Sequence, residues 1–191
     1  MEEDKILSAL FDEGMDNLHL HKPDSSPLYV ERLLSLLPEY TYNKITVHEH
    51  YYLKNEYQLA GIHLEDSTQG IPLGYKGKVG INCTDIMQLK MLKKQASPIF
   101  LKNVFDSSTV PTEKASFSLA ELQQASRMGL IDKKVYALGG MCADNIQIAR
   151  DLGFGGVVIC GDIWNRFDIH NQIDYKHIIA HFCRLKKAAG G

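Results

Sequence analysis

Lys134-Val135-Tyr136-Ala137-Leu138-Gly139-Gly140-Met141 is a short apolar run that closes on two glycines. Gly155-Gly156-Val157-Val158-Ile159-Cys160-Gly161 repeats the pattern one helix later. Between them, Asp144-Asn145-Ile146-Gln147-Ile148-Ala149-Arg150-Asp151-Leu152-Gly153 reads as a helix, with a polar cap at its start and glycine at its end. The stretch is thus strand, glycine turn, helix, strand, glycine turn. Glycine turns that expose backbone N–H groups beside a helix N-terminus suit a phosphate. The competing reading is that the glycines only make tight strand-to-helix turns.

Working outward, the same alternation runs along the whole chain. Helices are expected at 2–13 (ended by Gly14), 27–37, 51–58, 85–94, 118–127, 143–152 and 174–187. Strands are expected at 17–21, 44–48, 61–64, 78–82, 98–104, 134–138 and 156–160. Ser26 before Pro27 reads as an N-cap with proline at the first helical position. Ser118 with Glu121 reads as a capping box. Ile6, Leu7 and Leu10, then Leu33, Leu36 and Leu37, then Ile86, Leu89 and Leu92 read as core-facing stripes. A glycine-rich loop is expected at 67–77 and a long polar loop at 106–117. Strands alternating with helices imply an α/β class with a parallel sheet. Seven strands fit either a doubly wound open sheet or an incomplete barrel, and periodicity leaves both open.

Composition limits the function classes. The chain has 191 residues, 45% hydrophobic content and a formal net charge of −2. That predicts one domain over 1–191 with a sizeable core, and it gives no sign of a basic nucleic-acid surface. No apolar run reaches the ~20 residues of a membrane helix. Met1-Glu2-Glu3-Asp4 lacks the basic and apolar regions of a signal peptide. Cys83, Cys142, Cys160 and Cys183 are scattered, with no C-x-x-C. The expectation is a cytoplasmic protein with reduced thiols. Cys160 reads as a small buried apolar residue beside the glycine turn.

In order and wording these pieces resemble the thiamine-phosphate synthase family, which includes thiazole tautomerases. Leu18-His19-Leu20-His21-Lys22-Pro23 stands where the family has L-Q-L-R-E-K, and Val47-His48-Glu49-His50 where it has I-N-D-R. Gly61-Ile62-His63-Leu64 follows its G-V-H-L, and Gly80-Ile81-Asn82-Cys83 falls on G-V-S. Phe100 to Ser108 falls on its G-P-V-F/Y stretch and Ser/Thr phosphate loop. Ala137 to Met141 and Gly156 to Gly161 fall on its last two strands.

The resemblance implies a (β/α)8 TIM barrel lacking its first strand, with its site at the C-terminal ends of the strands. It also implies a homodimer. The implied activity is the joining of hydroxymethylpyrimidine diphosphate to thiazole phosphate with release of pyrophosphate, a transferase step of thiamine biosynthesis using Mg2+. The implied partners are therefore phosphorylated thiazole and pyrimidine compounds. Ser107, Ser108, Gly139, Gly140, Cys160 and Gly161 would bind the thiazole phosphate. His19, Lys22, His63, Asn82 and Asn103 would line the substrate site. His21, His48 and Glu49 would be catalytic, and Glu49 and Asp66 would hold the metal.

The chain departs from the family on the diphosphate side. The family's arginine is His21, its lysine is Pro23, its first metal aspartate is Glu49, and its second falls at Thr68. Asn103 occupies the place of the tautomerases' histidine. Two alternatives follow, a thiazole-phosphate tautomerase and a non-catalytic phosphate-ligand binder. By strand periodicity His19 and His21 share one face, as do His48 and His50, while Lys22 faces the other way. Imidazoles suit proton transfer near neutral pH. H-x-H on an early strand also suits zinc.

Overall fold

The computed structural model describes residues 3–107, 110–112, 114–166 and 175–190. Ser108 lies outside the described residues. The chain divides into two compact units, Met1–Gly80 and Ile81–Gly191.

The first unit opens with α1 (Glu3–Asp12), whose Ile6, Leu7, Leu10 and Phe11 form one buried stripe. β1 (Leu18–Leu20), β2 (Ile45–Val47) and β3 (Gly61–Leu64) are short and parallel, with Leu18 opposite Ile45 and Thr46 opposite Gly61. β3 is buried along its whole length. At its start, a Cβ on Gly61 would stand 2.6 Å from the Lys78 carbonyl oxygen, so glycine lets the next strand approach. That strand, β4 (Lys78–Cys83), starts in the first unit and runs into the second.

Between the strands, α2 (Pro27–Leu36) begins as expected, with the Ser26 hydroxyl accepting from the Tyr29 N–H. Val30, Leu33, Leu34 and Leu37 are buried, but Leu36 is exposed. At about 100° per residue, Leu36 falls about 110° from the centre of that stripe. The expectation that it faces the core is corrected. α3 (Leu53–Glu56) is much shorter than the helix expected at 51–58, and a 3₁₀ turn over Glu39–Lys44 leads into β2.

In the second unit β5 (Ile99–Leu101), β6 (Val135–Leu138) and β7 (Gly156–Val158) continue the parallel pairing. Ile81 stands opposite Ile99, Ile99 opposite Val135, and Tyr136 opposite Gly156. The helices are α4 (Leu89–Leu92), α5 (Leu119–Arg127), α6 (Ile146–Asp151), α7 (Gly161–Trp164) and α8 (Lys176–Ala189). The helix expected at 85–94 is divided between a 3₁₀ turn (Ile86–Gln88) and α4. The α5 capping box forms in full.

Seven parallel strands therefore alternate with helices among the described residues, and strand order follows chain order within each unit. A doubly wound sheet would reverse its strand order at a switch point. The alternation without reversal is that of a (β/α) barrel fold with seven strands. None of the described helices is long and apolar enough to cross a membrane.

Candidate functional site

In the first unit four histidines gather at the C-terminal ends of β1, β2 and β3. His19 is on β1, and His21 follows it. His48 follows β2, and His63 is on β3. The His19 and His48 rings meet edge to face at 5.2 Å, and His48 stacks on His63 at 4.5 Å. His21 lies 5.0 Å from His48. His19 Nδ1 and His48 Nε2 are 2.9 Å apart. His48 and His63 are buried, whereas the His21 side chain is half exposed. Burial first, then the neighbouring His63 and His48 rings, pushes the His19 imidazole down from its ordinary 6.5 to about 2. His19 is therefore neutral throughout the physiological range.

Two carboxylates orient this cluster. Glu49 Oε1 pairs with His21 Nδ1 at 2.6 Å, and its other oxygen accepts from the Lys22 backbone N–H at 2.8 Å. Glu65, directly after β3, meets His48 Nδ1 at 2.9 Å and His21 Nδ1 at 3.7 Å. A carboxylate on one ring nitrogen fixes the tautomer and leaves the other nitrogen for chemistry. Lys22 turns away as its alternation requires, and its Nζ meets Glu3 at 2.8 Å.

The expected pairing of His48 with His50 on one strand face does not occur. β2 ends at Val47, and His50 adopts a positive φ of 51° and sends Nε2 to the Ser25 carbonyl. Asp66 caps its own turn, accepting from the N–H groups of Thr68 and Gln69. Glu65 was not anticipated from the sequence. The signal available was its place, one residue past a fully buried strand, where barrel sites are built.

Mg2+ asks for oxygen ligands in a near-octahedral array. Both Glu49 oxygens are engaged by His21 and Lys22, and Asp66 is engaged in its turn. Groups of three or more potential metal ligands among the described residues are His19–His48–His63 and His21–His48–Glu65. Neither contains Glu49 or Asp66. This imidazole-rich donor set does not fit Mg2+.

The second unit holds the glycine turns. Gly139 and Gly140, at the end of β6, have φ of +103° and +64°. A Cβ on Gly139 would come within 2.8 Å of the Asn103 backbone, and one on Gly140 within 2.6 Å of the Phe105 carbonyl oxygen. Asn103 itself has φ +56°, a strained setting at the end of a barrel strand. The Phe105 N–H donates to the Gly139 carbonyl, and the Asn145 amide donates to the Gly140 carbonyl at 2.7 Å. These contacts give both glycines a structural reason, whatever else they bind.

The Ser107 hydroxyl accepts from the Val110 N–H at 3.0 Å. Asn82 is buried on β4. Gly161 opens α7, and Cys160 before it is exposed rather than buried. Cys160 lies beyond the end of β7 at Val158, so its side chain escapes the packing of the strand.

Comparison with solved structures decides the family. The chain matches a thiamine phosphate pyrophosphorylase from Bacteroides thetaiotaomicron at 42% identity and a TM-score of 0.89, over 100% of this chain and 92% of that one. This chain belongs to the thiamine phosphate pyrophosphorylase family, also called thiamine-phosphate synthases. A second pyrophosphorylase, from Pyrococcus furiosus, matches at 15% identity and a TM-score of 0.72, covering 98% of this chain and 89% of that one. A 3-hexulose-6-phosphate synthase matches at 14% identity and 0.57, covering 96% and 94%. At those identities the likeness is one of fold. No protein-family profile matches the sequence, and no curated protein does. Family membership places the protein in thiamine biosynthesis.

Proposed function

We propose that this protein acts on a phosphorylated thiazole in thiamine biosynthesis, moving a proton within the ring by acid–base catalysis. The observation that supports the reading is the His21–Glu49 pair. It replaces the family's arginine and metal aspartate with a half-exposed imidazole held at 2.6 Å by a carboxylate. Glu49 fixes His21 through Nδ1 and leaves Nε2 to take a proton from the substrate. The imidazolium so formed is stabilised by Glu49 and returns the proton to a second ring atom. Such catalysis contributes about 10²–10⁴-fold to a rate.

The chain's departures from the family support this reading over diphosphate chemistry. A diphosphate leaving group calls for cations. In the first unit Lys22 is neutralised by Glu3, while Glu49 and Glu65 add negative charge beside His21.

One observation favours a second reading. The 42% identity, over 100% of this chain and 92% of the other, is to a protein named for thiamine phosphate pyrophosphorylase. That supports the coupling of hydroxymethylpyrimidine diphosphate to thiazole phosphate with release of pyrophosphate. Within the second unit, the Gly139–Gly140 and Gly161 turns are proposed on their own account to bind a phosphate. A homodimer is the expected assembly, to be checked by light scattering.

The test follows deuterium exchange from solvent into a phosphorylated thiazole by NMR. We expect exchange with the wild-type protein, and a fall of about 10²–10⁴-fold in both His21→Ala and Glu49→Ala. Exchange that survives both substitutions would overturn the assignment. Pyrophosphate release from the diphosphate and thiazole phosphate together, without exchange, would establish coupling instead.

A further inference from the structure

We propose that His19, His48 and His63 form a binding site for one Zn2+-type divalent cation. The donor atoms lie within 4.8 Å of one another. His19 Nδ1 and His48 Nε2 are already 2.9 Å apart. Three nitrogens at about 2.0–2.1 Å from a tetrahedral zinc stand about 3.3 Å from each other, so the 2.9 Å pair opens slightly and the third nitrogen, within 4.8 Å of both, adjusts to that spacing. His19 and His63 lie on strands and His48 follows one directly, so the backbone of the first unit sets their spacing. His48 and His63 are at most 7% exposed.

Glu65 supplies the outer part of the site. Its carboxylate meets His48 Nδ1 at 2.9 Å, which places the proton on Nδ1 and turns the lone pair of Nε2 toward His19. A carboxylate behind a ligating histidine is how proteins orient imidazole ligands on metals. Imidazole donors select zinc and its neighbours over Mg2+. Three protein ligands leave a fourth coordination position open.

His21, His48 and Glu65 form a second possible set, on the side where His48 Nδ1 meets Glu65. The first set is favoured because it is more buried and keeps Glu65 as the orienting group. The proposal does not depend on the acid–base reading, since its test reads binding and not turnover.

The full-length protein is stripped with a chelator and titrated with Zn2+ against a chromophoric competitor, and separately with Co2+ by visible absorption. The expected result is one equivalent per chain and a tetrahedral Co2+ spectrum. His63→Ala and His19→Ala should each lose at least 100-fold in affinity. Glu65→Gln should lose about 10–100-fold, and His21→Ala should retain binding. Circular dichroism checks the fold of each variant, and the less buried His19 serves if His63→Ala does not fold. Absence of stoichiometric binding by the wild type would overturn the site. So would retained affinity in His19→Ala, or loss confined to His21→Ala.

Discussion

His21 and Glu49 come from neighbouring strand ends and meet at 2.6 Å, and the proposed acid–base reading rests on this pair. An arginine at position 21 would keep its charge at any pH, whereas an imidazole can carry a proton in both directions. Gly140 shows the same dependence on one residue for structural reasons. Its φ of +64° and the Phe105 carbonyl 2.6 Å from any Cβ make alanine costly there. Gly140→Ala should destabilise the protein by about 1–3 kcal/mol, read as a lower urea midpoint. An unchanged midpoint would mean that the turn can shift to make room.

At this scale the sequence was legible in part. His19, His21, His48, Glu49 and Gly140 were all marked by their register against the family. Glu65 was not, because its one signal, a place just past a fully buried strand, is shared with solvated carboxylates at strand ends. The direction of His50 was also hidden, because it depends on where β2 stops.

Elements carry two further predictions. α5 begins with a full capping box, in which Ser118 and Glu121 exchange hydrogen bonds. Ser118→Ala should cost about 1 kcal/mol in a denaturant titration. α7 and α8 are joined by Asp162, which meets His181 at 2.7 Å and Arg166 at 3.1 Å. Burial works against the Asp162 charge, but the hydrogen bonds from His181 and Arg166 outweigh it and hold the carboxyl below its ordinary 3.8.

A lowered folded value means that the unfolded chain takes up the proton first as pH falls. Asp162 therefore contributes stability in full above about 4, its unfolded range, and this is lost as pH falls through the folded value. Asp162→Asn should lower stability at pH 7 and flatten the acid limb of a stability–pH curve. A parallel acid limb would show that Asp162 does not set it.

Two helix starts were read closely, whereas the polar cap expected before α6 does not form: Asn145 makes no side-chain cap bond and the helix begins only at Ile146. Ser26 and Ser118 act on backbone N–H groups within their own first turn, which a sequence displays directly. Helix lengths were read less well. The stretch at 51–58 holds only one turn of α-helix, and 85–94 breaks into two pieces. Tertiary packing, not propensity, sets how far a short helix continues.

For the whole molecule the predicted behaviour is ligand-linked stability. A phosphorylated thiazole at 100 times its Kd should add about 2.7 kcal/mol. For a chain of this size that is a rise of about 5–10 °C in Tm. Pyrophosphate with Mg2+ should raise Tm much less if the acid–base reading holds. Equal shifts with both ligands would favour coupling.

The alternation of strands and helices and the glycine-ended strands were fixed by local pattern, because periodicity and turn chemistry act over a few residues. That local information determined the α/β class and the seven strands. It could not choose between a doubly wound sheet and a barrel, since that choice is one of strand order, which only pairing between distant segments decides. It could not assemble the site either. His19, His48, His63 and Glu65 lie on or just after three separate strands. Their meeting depends on inter-strand register and on where each strand ends, which are properties of the folded chain alone.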